Sequence, residues 1–340
     1  MKQIPIQYLR GIAAMLVVFE HFKFFPFSDS LLSGTIGVDI FYIISGFIMS
    51  ISIDKYKNNR SDFILNRVIR IYPLYIILSI PLVQLYLQQG SINEINIFSS
   101  LYFTGDLSGG QYKDPILYSG WTLFYEFVFY GLIALFAGNR NITIVILCAM
   151  GFIGSVFTIT GISGYLFNQF YFLFAIGMLL EKAFKIEALK KHGTDLLIIS
   201  TVLLIGVMFL NDHAKIGDSD YIPRQIIHAF NHAVPRVLIW GLPSVFFVVS
   251  VYIYFKDKPT IHWLNVLGNM SFSIYLVHTF LFQIYNYLVS CYTALDNLWF
   301  KIFVFVMIFP LSKLTYNLAE VRLGRWLKEK IVLEGVAMAS

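Results

Sequence analysis

The sequence predicts an all-α fold, a polytopic transmembrane helix bundle of about ten spans with both termini cytoplasmic. Three observations predict it. Of 340 residues, 57% are hydrophobic and 13% charged, roughly half the charged share of a soluble domain. A soluble chain of this make-up could not hide its apolar surface, so lipid must be the solvent for most of it. Apolar runs of about 20 residues, the length that crosses a ~30 Å hydrocarbon core, recur along the whole chain. Finally, the basic residues alternate between poor and rich connections from one run to the next.

The expected spans cover residues 4–25, 34–53, 68–88, 116–137, 142–161, 165–181, 195–210, 237–255, 267–289 and 298–318. The apolar stretch 92–103 is too short to span and reads as an interfacial or re-entrant piece. The groups Lys55, Lys57 and Arg60, then Lys182, Lys185, Lys190 and Lys191, then Arg322, Arg325, Lys328 and Lys330 all fall on one side. The other side carries Lys23, Lys113, Lys215, Arg224 and Arg236. Positive charge stays inside, which orients the bundle. It also explains the net charge of +5 without nucleic acid. The first run contains Arg10 and no small-residue cleavage site, so it reads as a retained helix.

The expected domain organisation is a single integral membrane domain over residues 1–340, with no C-terminal extracytoplasmic domain. Cys148 and Cys291 match no metal spacing and no disulfide framework. His213, His228 and His232 share one outer loop, and His228 and His232 have a spacing that allows chelation on a helix, yet no third ligand is confirmed, so no metal is expected.

Ionisable groups inside a span are costly and mark function. They are Arg10, Glu20 and His21 in the first span, Asp39 in the second, Arg67 and Arg70 at the start of the third, Glu126 in the fourth and His278 in the ninth. Arg10 and His21 share one helix face, about 16 Å apart along the axis, whereas Glu20 points about 100° away. Counting depth from the span ends puts His21, Asp39, Glu126 and His278 in the middle-to-outer bundle and leaves Arg67 and Arg70 at the cytoplasmic surface. The expected site therefore has two ends, cations below and a histidine with carboxylates above.

Five segments carry a family resemblance. They are Arg10-Gly-Ile-Ala-Ala with His21 following, Gly37-Val-Asp-Ile-Phe-Tyr-Ile-Ile-Ser-Gly-Phe47, Arg67-Val-Ile-Arg70-Ile-Tyr-Pro73, Trp121-Thr-Leu-Phe-Tyr-Glu126-Phe-Val-Phe-Tyr130 and Ser271-Phe-Ser-Ile-Tyr-Leu-Val-His278. In this order they resemble the motifs of the membrane-bound acyltransferase-3 family, with Thr122 where the family's pattern has Ser. The opening Ile6-Gln-Tyr-Leu-Arg-Gly-Ile-Ala-Ala is also similar to the family's exopolysaccharide-production branch. The resemblance implies O-acyl transfer, usually from acetyl-CoA, to a hydroxyl of a surface polysaccharide, O-antigen or lipid-linked glycan at a bacterial inner membrane.

On that reading His21 is the general base, because imidazole accepts a proton near neutral pH. Asp39 and Glu126 are the carboxylates that orient it and balance its charge. Arg67 and Arg70 are neighbours on a helix and suit the phosphates of acyl-CoA. Arg10 reaches the pantetheine or phosphate portion, or braces the carboxylates. His278 binds the acceptor or polarises the acyl carbonyl, and Trp121 forms part of a sugar platform. The alternative is a membrane transporter or glycan-lipid flippase, which shares the spans, the buried charges and the basic inner rim but needs no acyl donor.

Overall fold

In the computed structural model, residues 3–22, 35–56, 59–90, 94–104, 115–136, 139–160, 166–184, 187–213 and 237–339 are described. Among them every regular element is a helix. Six helical stretches are long and apolar enough to cross a membrane: Arg60–Gln88, Arg140–Phe157, Lys190–Met208, Val237–Phe255, Ser271–Cys291 and Leu298–Ile331. Among the described residues these six meet that requirement. Ile36–Ser52, Gly120–Leu135 and Phe170–Glu181 are apolar but shorter, reaching at most about 26 Å at 1.5 Å per residue. The first helix has 19 residues, but Gln7, Arg10, Glu20 and His21 make it too polar to qualify. The expected span ends at 23–25, 34, 137 and 161, and the loop histidines His228 and His232, lie outside the described residues.

The chain divides into two compact units that interleave in sequence. The first comprises residues 1–58 and 135–269. It contains α1 (Ile4–Phe22), α2 (Ile36–Ser52), α6 (Arg140–Thr160), α7 (Phe170–Ala183), α8 (Gly193–His213), α9 (Leu242–Phe255, entered through a wide π-type turn at Val237–Gly241) and α10 (His262–Asn269). Helix α2 is its hub, packing on α7, α1 and α9. The tightest crossing is between α2 and α7, where two glycines face each other. A Cβ built on Gly46 would lie 3.1 Å from Cα of Gly177, and one on Gly177 would lie 3.1 Å from Cα of Gly46. Each would also strike a backbone carbonyl, that of Phe174 or of Ile43. Lipid offers helices no hydrophobic drive to associate, so this kind of close backbone approach supplies the packing. A half-buried ion pair, Arg140 to Glu181 at 2.9 Å, ties α6 to α7. Ser50 on α2 donates to the same carboxylate at 3.4 Å.

The second unit comprises residues 59–134 and 270–340. It contains α3 (Arg60–Gln88), α4 (Glu94–Leu101), α5 (Gly120–Leu135), α11 (Ser271–Cys291), α12 (Leu298–Thr315) and α13 (Gly324–Ala339), the last two joined through wide π-type turns at Tyr316–Leu323. Of the stretch 92–103, the described residues 94–103 form one short helix, Glu94–Leu101, and its end. Helix α3 starts at Arg60, earlier than residue 68, because Asn59 caps it, accepting from the amide of Asp62 at 3.2 Å. The expected span at 267–289 is broken instead. Met270 leaves ideal helical geometry, with φ −87° and ψ 0°, and α10 before it packs on α1, where Gly11 and Gly268 come together. Along α12 the large apolar side chains Trp299, Phe303, Val306 and Met307 are exposed, as a lipid-facing surface requires.

The segment before α5 has no regular ladder, and side chains pin it instead. Ile116 N–H donates to Ser100 Oγ at 2.9 Å. Gln283 on α11 donates to Ile116 O at 2.8 Å and to the Tyr86 hydroxyl at 2.9 Å, and accepts from Tyr118 N–H at 3.2 Å. Replacing Gln283 with Ala removes three hydrogen bonds around a buried loop. The expected cost is about 1–3 kcal/mol for each buried group left without a partner, read as a lower melting temperature of the purified protein.

Candidate active site

The expected site residues fall in both units. Arg10, His21 and Asp39 belong to the first; Arg67, Arg70, Trp121, Glu126 and His278 belong to the second.

In the first unit, Arg10 and His21 lie on one continuous helix and are both half-buried, in keeping with the shared face. His21 Nδ1 lies 2.9 Å from the carbonyl oxygen of Val17, one turn earlier. A carbonyl can only accept, so Nδ1 carries the proton, and in the neutral ring Nε2 is then the basic nitrogen. The α1 backbone thereby sets the tautomer, a task that a carboxylate performs in hydrolytic triads. Asp39 sits fully buried (0% exposed) in the first turn of α2, where the positive end of the helix dipole favours a carboxylate. That turn is held against α1 by Gly37. A Cβ there would lie 2.8 Å from Val17 Cγ2 and would strike the Ala13 carbonyl. The residue that orients His21 thus also receives the start of α2.

In the second unit, Arg67 and Arg70 stand two to three turns inside α3, not at its start. Both are half-buried. The Arg67 guanidinium carbon lies 5.3 Å from the Phe63 ring centre and 5.1 Å from that of Tyr130. Tyr130 in turn donates a short hydrogen bond to the Glu126 carboxylate, one turn away on α5. Arg67 and Glu126, expected at opposite ends of the site, are therefore separated by one tyrosine. Two physical facts produce the difference. The Asn59 cap extends α3 by two turns, and Glu126 is engaged by the residue at i+4, one turn further along its own helix.

His278 is completely buried (0% exposed). Its Nδ1 lies 3.1 Å from the carbonyl of Ile274, so it has the same tautomer as His21. A neutral His278 thus presents an acceptor at Nε2. That suits gripping a substrate hydroxyl, whereas polarising a carbonyl needs a donor. Around it α5 and α11 share a belt of hydroxyls. Thr122 and Tyr275 are 2.7 Å apart, and Thr279 donates to Ser119 at 2.9 Å. Thr122, which replaces the family's serine, keeps the hydroxyl that this belt uses. Trp121 is 5% exposed and meets Tyr125 edge to face at 6.3 Å.

The sequence reading missed two residues here. One is Tyr130, whose only sequence signal was its i+4 spacing from Glu126 inside a quoted motif. The other is Glu320, to which Ser273 donates a short hydrogen bond. Glu320 lies in the π-type segment beyond the expected end of the last span, a type of turn common at functional sites. Among the described residues no group of three or more metal-ligating side chains gathers.

A helical membrane protein with histidine, carboxylate and guanidinium groups within its apolar helices belongs to the multi-pass class that binds or processes polar substrates within the bilayer. The family described as "Acyltransferase domain" matches residues 5–316, and the chain belongs to this acyltransferase-3 family. It is also similar to the exopolysaccharide production protein ExoZ of Rhizobium meliloti (strain 1021), 35% identical over 111 residues. That match spans 31% of this chain and 34% of the relative, about a third of each. No solved structure matches the chain.

Proposed function

We propose that the protein is a membrane O-acetyltransferase that moves an acetyl group from acetyl-CoA to a hydroxyl of a surface or lipid-linked polysaccharide at a bacterial inner membrane. Family membership supports the reaction class, and the similarity to an exopolysaccharide production protein supports a glycan acceptor. The observation that carries the mechanism is the Nδ1–H tautomer of His21, held by Val17.

Nε2 of His21 takes the proton of the acceptor hydroxyl. The hydroxyl oxygen attacks the thioester carbonyl, the new C–O bond forms and the C–S bond breaks. The coenzyme A thiolate leaves and recovers the proton from the imidazolium. Asp39 balances the imidazolium charge, Glu126 supplies a second carboxylate, and Arg10 braces the donor. Arg67 and Arg70 hold phosphate oxygens of the donor through their guanidinium forks. His278 grips an acceptor hydroxyl through Nε2. Trp121 shapes the acceptor side. Both are buried, so the acceptor reaches them from within the bundle.

Two measurements test the reading. Purified protein in nanodiscs should bind acetyl-CoA in a calorimetric titration. Membranes containing it should transfer radiolabelled acetyl groups to the host's glycan fraction, which gains acetyl mass. Binding without transfer, or glycan translocation in vesicles without an acetyl donor, would replace this reading with a carrier. Replacing both Arg67 and Arg70 with Ala should raise KM for acetyl-CoA by about 10- to 100-fold, the loss of one or two charge-assisted phosphate contacts. Lysine at Arg67 should recover only part of it, since an ammonium lacks the planar fork that packs against the rings of Phe63 and Tyr130.

A further inference from the structure

Tyr130 is 3% exposed on α5 and faces two charges at once. Its hydroxyl donates to Glu126. Its ring takes the Arg67 guanidinium at 5.1 Å. Phe63 lies beside it, 5.3 Å from the same cation, and meets Tyr130 edge-on, ring centres 5.9 Å apart at 87°. Within this clamp Arg67 Nε is buried and makes no hydrogen bond, so the rings do the holding. Arg70 is also close enough to act electrostatically on the Tyr130 hydroxyl.

We propose that Tyr130 is a positioning residue that sets the Arg67 guanidinium and the Glu126 carboxylate relative to each other and so couples donor binding to transfer. The proposal rests on the acetyl-transfer reading above. Its physical basis is the two-sided chemistry of a phenol. Donating to a carboxylate raises the electron density of the ring, and the denser face attracts a guanidinium more strongly. The contact between cation and carboxylate runs through the ring. A direct bidentate pair would occupy the guanidinium fork. A ring contact of this kind makes no use of the guanidinium N–H groups and leaves the fork for phosphate oxygens. The same hydroxyl fixes the direction in which Glu126 presents its charge.

Two substitutions separate the two contacts. Tyr130→Phe keeps the ring and loses the hydroxyl. It should bind coenzyme A within about threefold of the wild type, yet show a kcat for acetyl transfer lowered about tenfold. Tyr130→Leu loses the ring as well and should bind coenzyme A about tenfold more weakly, the loss of one desolvated cation–π contact. Coenzyme A binding is measured by calorimetry on full-length protein in nanodiscs. Transfer is measured with radiolabelled acetyl-CoA on membranes carrying the host glycan. A Phe variant with wild-type kcat, or one in which coenzyme A affinity and kcat fall together with the melting temperature, overturns the coupling role. So does a folded Leu variant that binds as the wild type. If Leu fails to fold, the Phe variant alone decides. A wild-type protein that binds no coenzyme A would instead remove the acetyl-transfer reading itself, and the role of Tyr130 with it.

Discussion

Replacing His21 with Ala should lower acetyl transfer by about 10²- to 10⁴-fold, the range by which a positioned general base accelerates proton transfer. The protein should still insert and fold. His21 is half-buried in the last turn of α1, and the Val17 carbonyl that its Nδ1 meets can be satisfied by water in its place. Acetyl-CoA binding should stay near the wild-type level, since the arginines proposed to hold its phosphates, Arg67 and Arg70, lie on α3. The readouts are elution as a single peak on size exclusion, calorimetric affinity for acetyl-CoA, and acetyl content of the glycan by mass spectrometry. Full acetylation by a folded His21→Ala protein would mean that another group takes the proton. His278 would then be the first to examine, because it has the same tautomer.

Replacing Gly46 with Leu should remove folded protein from the membrane. The α2–α7 crossing leaves no room for a side chain at either glycine. The obstacle on both sides is backbone, the carbonyls of Phe174 and Ile43, which cannot swing away as a side-chain tip would. Overpacking a well-filled core costs about 1–3 kcal/mol when side chains give way, and more when they cannot. Since α2 also packs on α1 and α9, the loss should spread through the first unit. Gly46→Ala should be milder than Gly46→Leu, and Gly177→Leu should match the latter. Fluorescence-detected size exclusion and the amount of membrane-inserted protein measure the effect. A Gly46→Leu protein with wild-type yield and melting temperature would show that this crossing is not close.

The motifs were legible in the sequence because intramembrane charge is rare and so stands out. Arg10, His21, Asp39, Glu126 and His278 needed no structure to be noticed. Helix boundaries were less legible. Residues 60–67 of α3 read as a charged loop, yet the Asn59 cap makes them helix. Residues 267–289 read as one apolar run, yet Met270 breaks it. Glu320 was passed over because composition gives no sign of a π-type turn, which depends on how the helix packs.

The amino-acid sequence by itself determined that this is a helical membrane protein of the acyltransferase-3 family, and it identified the residues that bear charge. Lipid imposes that much, since an apolar run must be helical there and a charge within it must have a reason. Only the tertiary structure decided how the charges are held. The backbone of α1 sets the tautomer of His21, and the ring of Tyr130 stands between Arg67 and Glu126. Tautomer and clamp depend on separations of a few ångströms between particular atoms, and an i+4 spacing in a sequence permits such contacts without requiring them.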